Sequence, residues 1–142
     1  MGIKKTVAID NLSSEMGTDF DRLASYITEQ QVEVTAETFS IYHKWDMVKK
    51  IASYTAGIPV SSVPSSLAQG IISGIIPPAN VNTIRHIGSY VHLGNAWATQ
   101  YMMQRGKEFK LNKSLDAFET YYNVPGEVPE HELVTDIHFP IK

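Results

Sequence analysis

The feature that most constrains this chain is an internal repeat. FSIYH at 39–43 matches FETYY at 118–122, an offset of 79 residues. AGIPV at 56–60 resembles IHFPI at 137–141, an offset of 81 residues. The two-residue difference falls in the hairpin loop between the matched strands, where insertions are tolerated. An amphipathic helix precedes each copy. Neither copy could bury its apolar face alone. The pattern therefore predicts an α+β fold of duplicated β-α-β-β units with pseudo-twofold symmetry. Its antiparallel sheet would carry two main helices, with a ligand cleft between the repeats.

Local signals fill in the units. Met16 to Gln31 reads as a helix capped by Ser13 or Ser14, with Met16, Phe20, Leu23 and Ile27 as its apolar stripe. Phe39–Trp45 and Lys50–Val60 read as a hairpin around the turn-like Asp46-Met47-Val48. Leu67–Ile76 reads as a strand bent at Gly70 and Gly74, and Asn80–Ile87 as another. Gly88–Arg105 follows as the second helix, with Gly106 at the C-cap position. Ala117–Asn123 and Leu133–Ile141 close the second hairpin. The expected organisation is a single domain over 1–142, with repeat one at about 1–66 and repeat two at about 67–142.

Length and composition exclude several classes. A chain of 142 residues can bury a sizeable core, and 43% hydrophobic against 19% charged residues is ordinary globular composition. With no cysteine, disulfides, thiolate metal sites and a cysteine nucleophile are excluded. Net charge is −3 and neither half is basic: residues 1–75 carry 6 Lys+Arg against 8 Asp+Glu, residues 76–142 carry 6 against 7. No phosphate-binding face is advertised, and no direct nucleic-acid binding is expected. No apolar run reaches membrane-spanning length and no signal segment opens the chain, so a cytoplasmic protein without membrane association is expected. Gly2 with Thr6 fits a myristoylation pattern, and Asn11 and Asn112 head glycosylation sequons; patterns this short arise by chance.

Strand alternation places Glu119 on one face with Tyr121, while Phe118, Thr120 and Tyr122 take the other. The first-copy counterparts are Ser40 and Tyr42. A symmetric cleft would thus hold two tyrosines and one carboxylate. An acid among aromatic rings suits a cationic or polarised aromatic ligand, the carboxylate supplying charge and the rings cation–π attraction. The plain alternative is a solvated glutamate on a surface strand. Trp97 and Tyr101 are four apart on the second helix and read as core residues, one surface of each being able to border the cleft. His86 could act as a base or touch ligand, but a histidine hydrogen-bonded at a strand end is the favoured reading. His43, His92, His131 and His138 show no metal spacing, so neither a metal nor another cofactor is expected. Lys107, Lys110 and Lys113 form a sparse basic loop of the solvated kind.

From Ile76 to Lys142 the chain resembles the GyrI-like small-molecule-binding domain, the effector-binding module of drug-recognising MerR-type and AraC-type transcription regulators. The resemblance is carried by the Ile76-Pro77 break, by Arg85-His86-Ile87-Gly88-Ser89-Tyr90, by Leu93-Gly94-Asn95-Ala96-Trp97, and by Phe118-Glu119-Thr120-Tyr121-Tyr122 with Thr135-Asp136-Ile137-His138-Phe139-Pro140-Ile141. The first 75 residues join it mainly through the repeat. The resemblance implies a pocket for bulky, hydrophobic, often cationic compounds, with Glu119 at its base and Tyr121 on its lining. Tyr42, Trp97 and Tyr101 complete the expected ligand-binding set. The chain has no helix-turn-helix segment, so a stand-alone member is expected rather than a direct regulator.

Three functions stay open at this stage. The first is a binding module for an amphiphilic small molecule. The second is a hydrolase of reactive cyclopropane-type toxins, with Glu119 and Tyr121 catalytic. The third is a protein-interaction role, with a separate regulator or DNA gyrase as partner.

Overall fold

The computed structural model describes residues 1–142. Six strands and two helices form two compact units, Met1–Ile76 and Pro77–Lys142, and every strand pair within each unit is antiparallel. The fold class is α+β, as expected.

The first unit comprises β1 (Gly2–Ala8), α1 (Leu12–Glu29), β2 (Thr38–Asp46) and β3 (Ile51–Gly57). Its sheet runs β1-β3-β2, with Gly2 opposite Gly57 and Tyr42 opposite Tyr54. The expected stripe holds: Met16, Leu23 and Ile27 are buried on α1, and Phe20 packs partly buried against the same core. Asp19 is buried as well, at 1% exposure. Its two oxygens accept from Lys5 Nζ at 2.5 Å and from the Tyr54 hydroxyl at 2.7 Å. Paired this way, a carboxylate is tolerated in a core. Burial, and then Asp19, push the Tyr54 hydroxyl well above the usual tyrosine range.

The second unit comprises β4 (Val81–Ile87), α2 (Leu93–Arg105), β5 (Phe118–Tyr121) and β6 (Val134–Pro140). Its sheet runs β5-β6-β4. Ala96, Ile137 and Phe139 form its core, flanked by Leu93, Trp97 and Ile84.

The registers of the two units coincide. Ser40 faces Ala56 and Glu119 faces Ile137; Lys5 faces Tyr54 and His86 faces Thr135. Offsets of 79 for the β2/β5 strands and 81 elsewhere map each pair onto its counterpart. The helices obey the same rule, α1 starting at Leu12 and α2 at Leu93, each after a 3-10 turn, Ile9–Asn11 and Tyr90–His92. Even a packing detail repeats. A Cβ on Gly57 would run into the Phe39 ring, whereas His138 at the equivalent position stacks on Phe118 with ring centres 4.6 Å apart.

Several expectations need correction. Leu67–Ile76 is not a strand. Only Ile72 pairs, in a bridge to Gly2, because Gly70 turns the chain with φ +81° and Ile71 plugs the first unit's core. Helix α1 begins four residues early, and Ser14 donates to the Asn11 carbonyl at 3.0 Å rather than capping. The backbone of the 3-10 turn supplies the start instead. Gly88 and Ser89 precede α2 instead of belonging to it. Gly106 is the C-cap but stays right-handed at φ −71°, and Lys107 takes the left-handed position at φ +61°.

On the sheet face away from α2, His138 sits between Thr83 and Thr120, its ring nitrogens 2.8 and 3.0 Å from their hydroxyls. Burial lowers its pKa, with the Asp136 charge opposing. The adjacent Asp136 takes a bidentate contact from Arg85 at 2.9 and 3.0 Å, which holds its own pKa low. The folded state therefore favours neutral His138, and the unfolded chain takes the proton more readily. The His138 contribution to stability should be full above about 6.5, the ordinary histidine value, and decline as pH falls below it. The loss of the Asp136 contribution comes in a separate, more acidic step, through the carboxylate range. Thermal melts against pH should show the first step in the wild type and not in His138→Gln.

Candidate functional site

Strand β5 and helix α2 build the site. Glu119 and Tyr121 share the face of β5 covered by α2, at 2% and 8% exposure. On α2 the buried Ala96 and Gln100 anchor the helix to the sheet. The Gln100 amide donates to the carbonyls of Asn82 and Ile137 at 2.8 and 2.9 Å, and its oxygen accepts from Asn82 at 2.7 Å. That anchoring fixes Trp97 one turn back. The Trp97 indole N–H donates to Glu119 Oε1 at 2.5 Å, and the Tyr121 hydroxyl donates to Glu119 Oε2 at 2.5 Å. Hydrogen bonds to an ionised acceptor are shorter and stronger than neutral ones. Both donors are themselves neutral, so they lower the cost of burying a carboxylate without supplying a counter-charge.

Aromatic rings surround this carboxylate. Tyr90, from the 3-10 turn before α2, lies 6.0 Å from the Tyr121 ring. Burial, and then the Glu119 charge, raise its pKa, keeping the hydroxyl protonated. Trp97 and Tyr101 pack on Phe139 with ring centres 5.4 and 5.0 Å away. Trp97 thus packs in the core and also reaches the Glu119 carboxylate. Tyr101 is 48% exposed and extends the aromatic wall outward. Tyr42 occupies in the first unit the register position of Tyr121 and packs against Met16, Tyr54 and Ala56. His86 Nε2 lies 3.0 Å from the Ser89 carbonyl, the strand-end arrangement favoured from sequence.

The corresponding position of the first unit uses other chemistry in the same geometry. Ser40, fully buried, donates its hydroxyl to Met16 Sδ at 3.1 Å. Met16 and Trp97 are 81 residues apart, Ser40 and Glu119 79. One helix position meets one strand position in both units, and only the second carries a charge.

Sequence reading missed Tyr90, Thr135 and Gln100. Continuing the repeat offset along β6 and α2 would have put Thr135 opposite Tyr121 and Gln100 at the place of Asp19. Tyr90 carries no comparable signal, since its position depends on the turn that Gly88 begins at φ +129°.

The GyrI-like small-molecule-binding-domain family model matches residues 1–142. The chain belongs to this family. The GyrI-like chain is similar over 99% of its length to the crystal structure of the EcmrR C-terminal domain, with a TM-score of 0.71, 20% identity and 90% of that domain covered. It is similar over the same share to EcmrR in its DNA complex, with a TM-score of 0.85 and 20% identity. There it spans 52% of the EcmrR chain, about half its length. At this identity the likeness is one of fold. Comparison with the curated proteins finds no match. No helix of the chain is long and apolar enough to cross a membrane.

Trp97→Phe keeps the ring on Phe139 and removes the N–H, leaving Glu119 short of one donor. A loss of roughly 1–3 kcal/mol in folding stability is expected, the cost of an unmet buried hydrogen bond. Urea denaturation of Trp97→Phe, and of Trp97→Phe with Glu119→Gln, checks this: the double variant should lose less than the two single losses added.

Proposed function

We propose that this GyrI-like domain binds bulky hydrophobic cations, in the manner of a regulator's effector-binding domain, with Glu119 as the charge that selects them. The observation carrying the reading is a glutamate at 2% exposure, held by two neutral donors and set among the rings of Trp97, Tyr121 and Tyr90. A carboxylate in such surroundings has lost water, and its ionised form is costly until a cation arrives beside it. An incoming lipophilic cation compensates that charge, and the rings add cation–π attraction. Neutral compounds of the same shape gain only the apolar contact. Tyr101, half exposed beside Trp97, offers further apolar area to a large ligand.

The hydrolase reading has one observation in its favour, the 2.5 Å contact between the Tyr121 hydroxyl and Glu119, an arrangement able to pass a proton. Glu119→Gln separates the readings because it keeps shape and removes charge. A binder should lose about 1–3 kcal/mol of affinity for lipophilic cations, the scale of a charge-assisted contact. Its affinity for neutral isosteres should be unchanged. A hydrolase should instead keep substrate affinity and lose turnover by about 10²–10⁴. Isothermal titration and a product assay on the variant decide. Cation affinity and turnover both equal to wild type would remove Glu119 from either role.

A further inference from the structure

Thr135 lies on β6 opposite Tyr121 on one side and His86 on the other, so its side chain is on the Glu119 face. It is fully buried, and its hydroxyl has no hydrogen-bond partner. Neighbouring groups are already engaged. The Tyr121 hydroxyl is committed to Glu119, His86 Nε2 to the Ser89 carbonyl, and the Gln100 amide to Asn82 and Ile137. Tyr90 comes near enough for Thr135 to influence its pKa without reaching hydrogen-bond geometry.

The first unit shows the same position with its polar group paired. Its counterpart is Tyr54, whose hydroxyl is satisfied by Asp19. The second unit replaces both partners: threonine stands for the tyrosine, and glutamine, turned to the backbone, stands for the aspartate. A phenol ring is gone, and a polar atom remains without its acceptor. Burying such an atom unpaired is destabilising, so an unpaired hydroxyl beside a charged site points to a ligand atom.

We infer that Thr135 is a second recognition point, selecting cations that carry a neutral hydrogen-bonding group on the apolar body. A hydroxyl, ether, carbonyl or amide would serve, since a threonine hydroxyl both donates and accepts. Thr135 and Glu119 stand roughly 7 Å apart, backbone to backbone, on the diagonal of the β5–β6 pair, which sets the scale of the separation between that group and the cationic centre. This inference rests on the cation-binding reading above.

The test uses two probes, benzyltributylammonium and its 3-hydroxymethyl derivative, titrated calorimetrically into the full chain. Wild type should prefer the hydroxymethyl ion. Thr135→Val should lose about 3- to 10-fold in affinity for that ion, the scale of one neutral hydrogen bond, and stay within about twofold for the parent. Thr135→Ser, which keeps the hydroxyl, should keep the preference. The melting temperature of Thr135→Val should equal or exceed wild type, because an unpaired buried hydroxyl gives way to a methyl. A preference absent from wild type or surviving in Thr135→Val overturns the inference, as does a clear drop in melting temperature, which would mean that the hydroxyl is held by a fixed water. In that event, binding of both ions that is weakened by Glu119→Gln leaves the cation reading standing. Failure of both ions to bind wild type removes that reading, and this inference with it.

Discussion

In each unit a helix is laid on three antiparallel strands so that one helical side chain meets one side chain of the middle-numbered strand. In the first unit the pair is Met16 and Ser40; in the second it is Trp97 and Glu119. Strand pairing makes this contact unavoidable. With Ser40 opposite Ala56 and Glu119 opposite Ile137, both side chains point toward the helix. A one-residue slip would send them to the other face. The glutamate is therefore buried by register, and it is tolerated because the donors it needs arrive on elements whose positions the same register and the Gln100 anchor determine.

The two copies divide the work that a duplicated core allows. In the first, Lys5, Asp19 and Tyr54 form a closed network in which each buried polar atom has a partner. In the second, the corresponding positions hold His86, Gln100 and Thr135. His86 and Gln100 turn to backbone carbonyls, and the Thr135 hydroxyl is left over. Departures from full internal consistency concentrate where a protein meets its ligand. Here the departure and the buried charge fall on the same face of the same unit.

The sequence carried much of this because the decisive features are periodic. Alternation along FETY assigned Glu119 and Tyr121 to one face without reference to any other segment. The 79 and 81 offsets predicted the hairpin equivalence that the registers bear out. What it carried poorly depends on tertiary context. Asp19 looked like one more acid in the early turns of α1, and nothing local says that Lys5 and Tyr54 converge on it. Leu67–Ile76 looked like a strand because its β-branched residues alternate with glycines, yet only Ile71 enters the first core, with Leu67 packed against it, while Ile72, Ile75 and Ile76 stay exposed. Tyr90 could not be placed before the turn at Gly88 was known.

The geometry at Glu119 bears on the choice between holding a ligand and converting it. Both carboxylate oxygens already accept hydrogen bonds, one from an indole and one from a phenol. To act as a base toward water, the carboxylate would take up a proton and lose the charge that strengthens both of those contacts. To attract a cation it gives up neither, since each oxygen keeps further lone-pair capacity. A Trp donor, moreover, can position a carboxylate but cannot take part in proton traffic at neutral pH. An arrangement with one immobile donor and one exchangeable donor is therefore better suited to keeping a charge in place than to moving protons through it, and that favours binding over hydrolysis as the use of this site.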